Sequence, residues 1–270
     1  MIPFKPLRVD RSNIPIVSDK EIDEYAHMVL EDYRPELLRT PGAIRVEHFL
    51  ERYLSVTFEA KDIYYEENES PIWGATAFQD SWIKVFDRER NRVMPIEIKK
   101  DTIILDNYVM KDGKEGLALF SGLHEGGHFL IHPGVFSQNC EGQTSLFQAE
   151  TQQIVCCRRE NVENLKPIRR RRTHEEWLEH HADYFAAAIA MPNVTFKPFV
   201  KQLMRNSGIQ EDRIVLGNCY NIDAFACKEL PSSIANTYGV SKKAAFIKLR
   251  KCGFIVSVQD WRNTVAQLSV

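Results

Sequence analysis

The sequence predicts an α+β fold with a helical core and a small N-terminal mixed β-sheet. Apolar residues recur with a helical period near the N-terminus and again through the second half of the chain. Between about residues 56 and 105 the pattern changes to short β-rich runs divided by polar turns. With 270 residues, 44% of them hydrophobic, the chain can build one large domain or two small ones.

Two helices are predicted before the strands. Ser18 and Glu21 have the spacing of a capping box, and Pro35 limits the helix that follows. A shorter helix is predicted after Pro41-Gly42, as far as Leu54. The strand-like runs that come next are 56–58, 74–78, 82–86 and 96–105.

The next segment, His124-Glu125-Gly126-Gly127-His128, predicts a metal site on a helix over about 116–132, which Pro133-Gly134 ends. Side chains four positions apart share one helical face, so His124 and His128 can bind one zinc ion. Water bound to zinc has its pKa lowered towards about 7. Glu125 can then act as general base and acid in peptide hydrolysis. The glycines are expected to leave room for substrate.

A second helix, over about 174–190, is predicted to complete the site. Thr173 and Glu176 form a capping box at its start, just after the run Arg169 to Arg172. Glu179 and Asp183 share one face of this helix. Glu179 is the predicted third ligand, which leaves a fourth position for water, as in catalytic zinc sites. Asp183 is predicted to accept a hydrogen bond from a ligand histidine.

Three further histidines leave alternatives open. His181 and His180 are neighbours of Glu179 with equal ability to bind a metal, so both remain alternative third ligands. His132 lies four residues beyond His128, and it is interpreted as a cation at the helix C-terminus. The three-histidine motif of metzincins is excluded, because the chain has Ile131 and Gly134 at the positions where that motif needs glycine and histidine.

Together these segments resemble the ImmA/IrrE metallopeptidases. That family has a His-Glu-x-x-His helix followed by a second block that closes on Met-Pro. The residues that match the second block are Glu179, Ala182, Asp183, Phe185, Ala186, Ala187, Met191 and Pro192. The chain departs from the family at Gly126, where a larger apolar residue is common, and at His181, where Glu or Gln is common.

The resemblance implies a gluzincin-like site with one Zn²⁺ per chain, ligands His124, His128 and Glu179, and Glu125 as general acid and base. It also implies a substrate, because members of the family cleave a helix-turn-helix transcriptional repressor or relieve its repression. The predicted activity is therefore that of a zinc metalloendopeptidase acting as an antirepressor. Residues 1–206 would form the peptidase domain, and residues 207–270 a C-terminal helical region.

The C-terminal region supports an alternative function. Residues 232–238, a turn at Gly239 and a basic helix over 242–251 with Ser241 as N-cap are typical of a helix-turn-helix. Lys242, Lys243 and Lys248 could then contact DNA. A net charge of −2 argues against nucleic-acid binding over the whole surface. A non-hydrolytic regulator that only docks a partner is the other alternative.

Composition predicts a cytoplasmic protein. No apolar stretch is long enough for a membrane span, and the N-terminus lacks the pattern of a signal peptide. The six cysteines follow no metal-binding or disulfide pattern, so reduced thiols are expected. Cys156 and Cys157 follow two β-branched residues and are interpreted as buried strand or core residues.

Overall fold

The computed structural model of the chain describes residues 1–136, 173–217 and 219–261, together with the strand backbone at 154–158. Its described helices are α1 (Asp19–Tyr33), α2 (Glu115–Ile131), α3 (Pro133–Phe136), α4 (His174–Ala190), α5 (Asn193–Asn206), α6 (Tyr220–Ala224), α7 (Leu230–Tyr238) and α8 (Lys242–Lys251). A 3₁₀ turn spans Pro35–Leu38, and π-type turns span His48–Leu54 and Phe225–Glu229. The strands are β1 (Thr57–Lys61), β2 (Ile72–Ala77), β3 (Ser81–Asp87), β4 (Arg92–Ile98), β5 (Thr102–Asp106), β6 (Ile154–Arg158), β7 (Ile214–Leu216) and β8 (Ile255–Ser257).

Helices and small sheets together make an α+β structure, as predicted. Both predicted capping boxes are present, at Ser18 with Glu21 and at Thr173 with Glu176. In each box the N-cap hydroxyl accepts the N3 backbone N–H, and the glutamate accepts the N-cap N–H. These local bonds explain why α1 and α4 begin where the sequence predicts.

The main sheet has the strand order β1-β5-β2-β6 and is mixed. Strands β1 and β5 are parallel, whereas β2 is antiparallel to both of its neighbours. The run over 96–105, predicted as one strand, is two strands with a turn between them. Asp101 in that turn has φ +59°, and the backbone N–H of Lys100 donates to Asp80. A polar turn of this kind ends the pairing of β4 and lets β5 enter the main sheet.

Strand β2 separates two packing layers, because successive side chains alternate between the faces of a sheet. Ala75 and Ala77 lie in a cluster with the inner face of the β3–β4 hairpin, including Ile83 and Val85. Gly74 and Thr76 therefore face the other side, where α2 packs. The strand that lines the predicted site is β2, a point that the sequence left open.

The largest hydrophobic cluster joins α1, the π-type turn at 48–54, α2, α4, α5, α7 and α8. Leu123 and Phe185 belong to it, and so do Tyr238 and Leu249 beyond the predicted boundary at 206/207. Helix α5 ends at Asn206, beside that boundary. Residues of both predicted regions thus share one core, while the division into two domains stays a prediction.

The C-terminal helix pair is present as predicted, with a turn at Gly239 (φ +69°) and Ser241 as the N-cap of α8. Lys242 and Lys243 are exposed, but Lys248 is buried. The prediction that Lys248 contacts DNA is therefore wrong, because its side chain packs into the core against Phe196.

The run Arg169 to Arg172 lies outside the described part of the chain. So do Cys140, for which a reduced thiol is predicted, and the side chains of Cys156 and Cys157, which are predicted to be buried. The backbone of Cys156 and Cys157 lies in β6. Cys219, Cys227 and Cys252 are free thiols.

Among the described residues, none of the helices has the length and apolar character needed to cross a membrane.

Candidate metal centre

Helix α2 brings the two histidines of the motif together in the protein interior. His124 and His128 are fully buried, and their Nε2 atoms lie 3.0 Å apart. Their position follows from the spacing of four residues, which places both rings on one side of the helix. Two buried imidazole nitrogens at this distance can together bind one metal ion.

Glu179, on α4, faces the same point from the other side. Its Oε2 lies 3.4 Å from His124 Nε2, and its Oε1 lies 3.4 Å from His128 Nε2. Tetrahedral ligands bound at about 2.0–2.1 Å are about 3.3–3.4 Å apart, so both carboxylate–imidazole separations match the edges of such a site. Among the described residues, His124, His128 and Glu179 are the group of three that could hold a metal ion. We call this group the metal centre.

The Nδ1 atoms of His124 and His128 also have hydrogen-bond partners. His124 Nδ1 lies 2.9 Å from Asp183 Oδ1, and His128 Nδ1 lies 3.0 Å from His132 Nδ1. An ionised Asp183 can only accept, so the His124 proton lies on Nδ1 and the Nε2 lone pair of His124 is free to bind a metal. The same holds for His128 in the tautomer whose Nδ1 donates to His132.

The charge state of Glu179 suits a metal ligand. Burial alone would raise the pKa of its carboxyl, but hydrogen bonds and favourable charge interactions with His124 and His128 outweigh burial and lower it. Glu179 is therefore ionised at neutral pH. Two imidazoles and one carboxylate are a donor set typical of catalytic zinc sites.

Glu125 occupies a separate niche between α2 and β2, where it is fully buried. Its Oε2 accepts a hydrogen bond of 2.5 Å from the hydroxyl of Thr76. Its Oε1 is buried and has no hydrogen-bond partner among the described residues. Burial raises the pKa of the Glu125 carboxyl. One oxygen is thus anchored while the other remains available to a water molecule or a substrate.

Gly74 makes this niche possible. A Cβ atom at Gly74 would lie 2.7 Å from Glu125 Oε1 and 2.9 Å from its Cγ. Such contacts are too short for any side chain larger than hydrogen. Sequence reasoning missed both Gly74 and Thr76, because they lie 51 and 49 residues before Glu125 and form no motif with it.

The alternative ligands lie elsewhere. His180 Nε2 is 2.7 Å from Asp19 of α1, so its ring ties α4 to α1. His181 is buried, and its Nδ1 lies 3.3 Å from His132 Nε2. Tyr184, also on α4, donates a hydrogen bond to Asp23 of α1.

His132 differs from its sequence interpretation. Its ring is fully buried, and burial together with the neighbouring histidines lowers its pKa well below the ordinary value. A neutral imidazole therefore stands where a helix-terminal cation was predicted. The only signal in the sequence was the spacing of four residues from His128.

The motif glycines serve packing rather than access for substrate. A Cβ at Gly126 would lie 3.2 Å from Leu54, and one at Gly127 would lie 3.1 Å from the Cα of Ala182. Gly127 lets the backbones of α2 and α4 approach closely, which brings Glu179 to the two histidines. Each glycine costs about 1 kcal/mol of helix propensity, and the close packing offsets this cost.

The donor chemistry and the separations of His124, His128 and Glu179 fit a metal ion. Comparison with protein-family models finds no match for this chain, and neither does a search of curated proteins. The case for a metal therefore depends on this chain's own residues.

Proposed function

We propose that this protein is a zinc-dependent metalloendopeptidase. The observation that carries the proposal is the buried metal centre of His124, His128 and Glu179 next to Glu125, whose Oε1 remains available. Structural zinc sites are closed by four protein ligands, whereas three ligands with an adjacent carboxylate are typical of catalytic sites.

A bound zinc ion would supply Lewis acidity, polarising the scissile carbonyl and making water a nucleophile near neutral pH. Glu125 takes the proton from the attacking water through Oε1 and delivers it to the leaving amine. Thr76 holds Oε2, so the carboxyl group does not rotate away between the two transfers. Burial raises the pKa of the Glu125 carboxyl, which makes its carboxylate a stronger base for the first transfer.

The substrate proposed is a regulatory protein inside the cell, of the helix-turn-helix repressor class. This part rests on the resemblance of the two motif blocks to the ImmA/IrrE metallopeptidases. In this proposal the chain relieves repression by cutting the repressor.

Metal content is the first test, measured as zinc per chain by elemental mass spectrometry on tag-free protein. We expect about one zinc in the parent and a much weakened site in Glu179→Ala, His124→Ala and His128→Ala, because each removes one ligand. His180→Ala is the matched control and should retain zinc, since His180 bonds to Asp19. A parent that takes up no zinc even after resupply would contradict the proposal.

Glu125→Gln then separates catalysis from binding. The amide keeps the size of the side chain but cannot accept the proton, so we expect full zinc content with cleavage slowed by about 10²–10⁴-fold. Co-expression with candidate repressors, followed by intact-mass analysis, detects the cut. Normal turnover by Glu125→Gln would refute the mechanism. Unchanged relief of repression without any cut would instead establish the non-hydrolytic regulator.

A further inference from the structure

Three buried histidines form a hydrogen-bonded chain that begins at the metal centre. His128 Nδ1 lies 3.0 Å from His132 Nδ1, and His132 Nε2 lies 3.3 Å from His181 Nδ1. His128 and His132 are fully buried, and His181 is 1% exposed. These three histidines connect the C-terminal end of α2 to α4.

We propose that His132 and His181 are positioning residues of the metal centre, which hold the ring of His128 in the orientation and tautomer that metal binding requires. This inference rests on the proposed function, because it concerns the same site.

The tautomers follow from the direction of the hydrogen bonds. For Nε2 of His128 to bind a metal, its proton must be on Nδ1, which donates to His132 Nδ1. His132 must then carry its proton on Nε2, which donates to His181 Nδ1. His181 in turn carries its proton on Nε2. If His128 binds the metal through Nε2, the directions of the hydrogen bonds therefore determine the neutral tautomers of all three histidines.

The two ligand histidines are oriented by different chemistry. His124 is held by the carboxylate of Asp183, the more common arrangement for a metal-bound histidine. His128 is held by an imidazole, which accepts the hydrogen bond without adding charge. Glu125, Glu179 and Asp183 already bring three carboxyl groups to this region. A neutral partner for His128 thus avoids adding a fourth carboxylate, at a fully buried position where an unpaired charge would be costly.

Zinc affinity tests the proposal, measured by competition with a chromophoric chelator. His132→Leu fills the space but cannot accept from His128, so we expect affinity about 10–100-fold weaker. His132→Asn places a carbonyl oxygen near the position of Nδ1 and should restore much of the affinity. Leu130→Ala is the matched control, since it perturbs the same turn of α2 without removing a polar group. Affinity in His132→Leu equal to that of the parent would overturn the proposal.

Because His181 acts through His132, its effect should depend on that residue. We expect His181→Leu alone to weaken zinc binding by a smaller factor than His132→Leu. The double variant should have the same zinc affinity as His132→Leu, because without the imidazole of His132 no hydrogen bond links His181 to His128. If the fold-losses of zinc affinity in the two single variants instead multiplied in the double variant, His181 would act independently of His132. That result would overturn the proposal that it acts through His132.

Tautomers give a readout that general destabilisation does not affect. Long-range ¹H–¹⁵N spectra of histidine-labelled, zinc-loaded protein should show the proton on Nδ1 of His128 and on Nε2 of both His132 and His181. A proton on Nδ1 of His132 would overturn the inference. A parent without zinc would defeat the proposed function instead, whereas a zinc-loaded parent with the wrong tautomers would defeat this inference alone.

Discussion

Glu125, the proposed catalytic group, depends closely on its immediate neighbours. Its position between α2 and β2 requires a hydroxyl at Thr76 and the absence of a side chain at Gly74. A buried carboxyl group with one anchored oxygen keeps a defined direction, and its second oxygen can exchange a proton. The motif specifies the glutamate, whereas strand β2 determines which of its oxygens can act.

Replacing Thr76 tests this anchoring. Thr76→Val keeps the shape but leaves Glu125 Oε2 buried without its donor, which costs about 1–3 kcal/mol. We expect kcat to fall by about 10–100-fold, with KM and zinc content nearly unchanged, in steady-state assays on a cleaved repressor. Thr76→Ser retains the hydroxyl and should stay close to the parent. Equal loss in both variants would indicate a packing effect rather than the hydrogen bond.

Helix α2 is the element on which the other parts of the structure converge. Its four glycines lie against neighbouring elements. At Gly116 the neighbour is backbone, since a Cβ there would lie 2.4 Å from the backbone nitrogen of Ser241. The start of α2 is thus packed against the turn between α7 and α8. The C-terminal helix pair, predicted as a separate region, contacts the helix that carries the metal ligands.

Gly116→Ala tests this contact. Alanine improves helix propensity by about 1 kcal/mol, but its Cβ meets backbone atoms that cannot rotate away. We expect a net loss of about 1–3 kcal/mol in the free energy of unfolding, measured with urea. Gly134→Ala is the control, because a Cβ there meets no atom within 4 Å. An unchanged midpoint for Gly116→Ala would show that the turn does not pack on α2.

At the scale of the whole molecule, a buried lysine outside the metal centre lowers the stability of the folded protein. Lys248 is 6% exposed, and no hydrogen bond or ion pair to its ammonium group is found among the described residues. Burial lowers the pKa of Lys248 from its ordinary value of 10.5. The folded protein therefore releases this proton more readily than the unfolded chain does. Below the folded-state pKa the cost of burying the charge is fully present, and it is relieved as the pH rises towards the unfolded value.

Lys248→Met should consequently stabilise the protein, by about 1–3 kcal/mol near neutral pH. The gain should be smaller at pH 10.5, the ordinary pKa of lysine, than near neutral pH, because the folded parent loses this proton more readily than the unfolded chain. Urea unfolding at both pH values measures the difference. Lys243→Met, at an exposed position of the same helix, should change stability by less than about 0.5 kcal/mol. A gain that grows with pH would contradict the assignment of a destabilising buried charge.

The sequence by itself determined the features that depend on neighbours along the chain. Capping boxes, helical periodicity and the spacing of His124 and His128 need only residues within a few positions of each other, and the structure has them where predicted. The boundaries of α4 were predictable for the same reason.

Only the tertiary structure decided which distant residues meet. Thr76 reaches Glu125, and His181 meets His132, through the packing of β2 and α4 on α2. His132 is buried by the packing of α4 on α2, and Lys248 is buried where α8 packs against Phe196 of α5, although their charge and position in the sequence are typical of exposed residues. Long-range contacts have no periodic signal in one sequence, since they depend on how whole elements pack. The pairing of His124 with His128 could therefore be predicted from spacing, whereas Glu179 could be predicted only beside the alternatives His180 and His181. The groups that hold Glu125 and His128 could not be predicted.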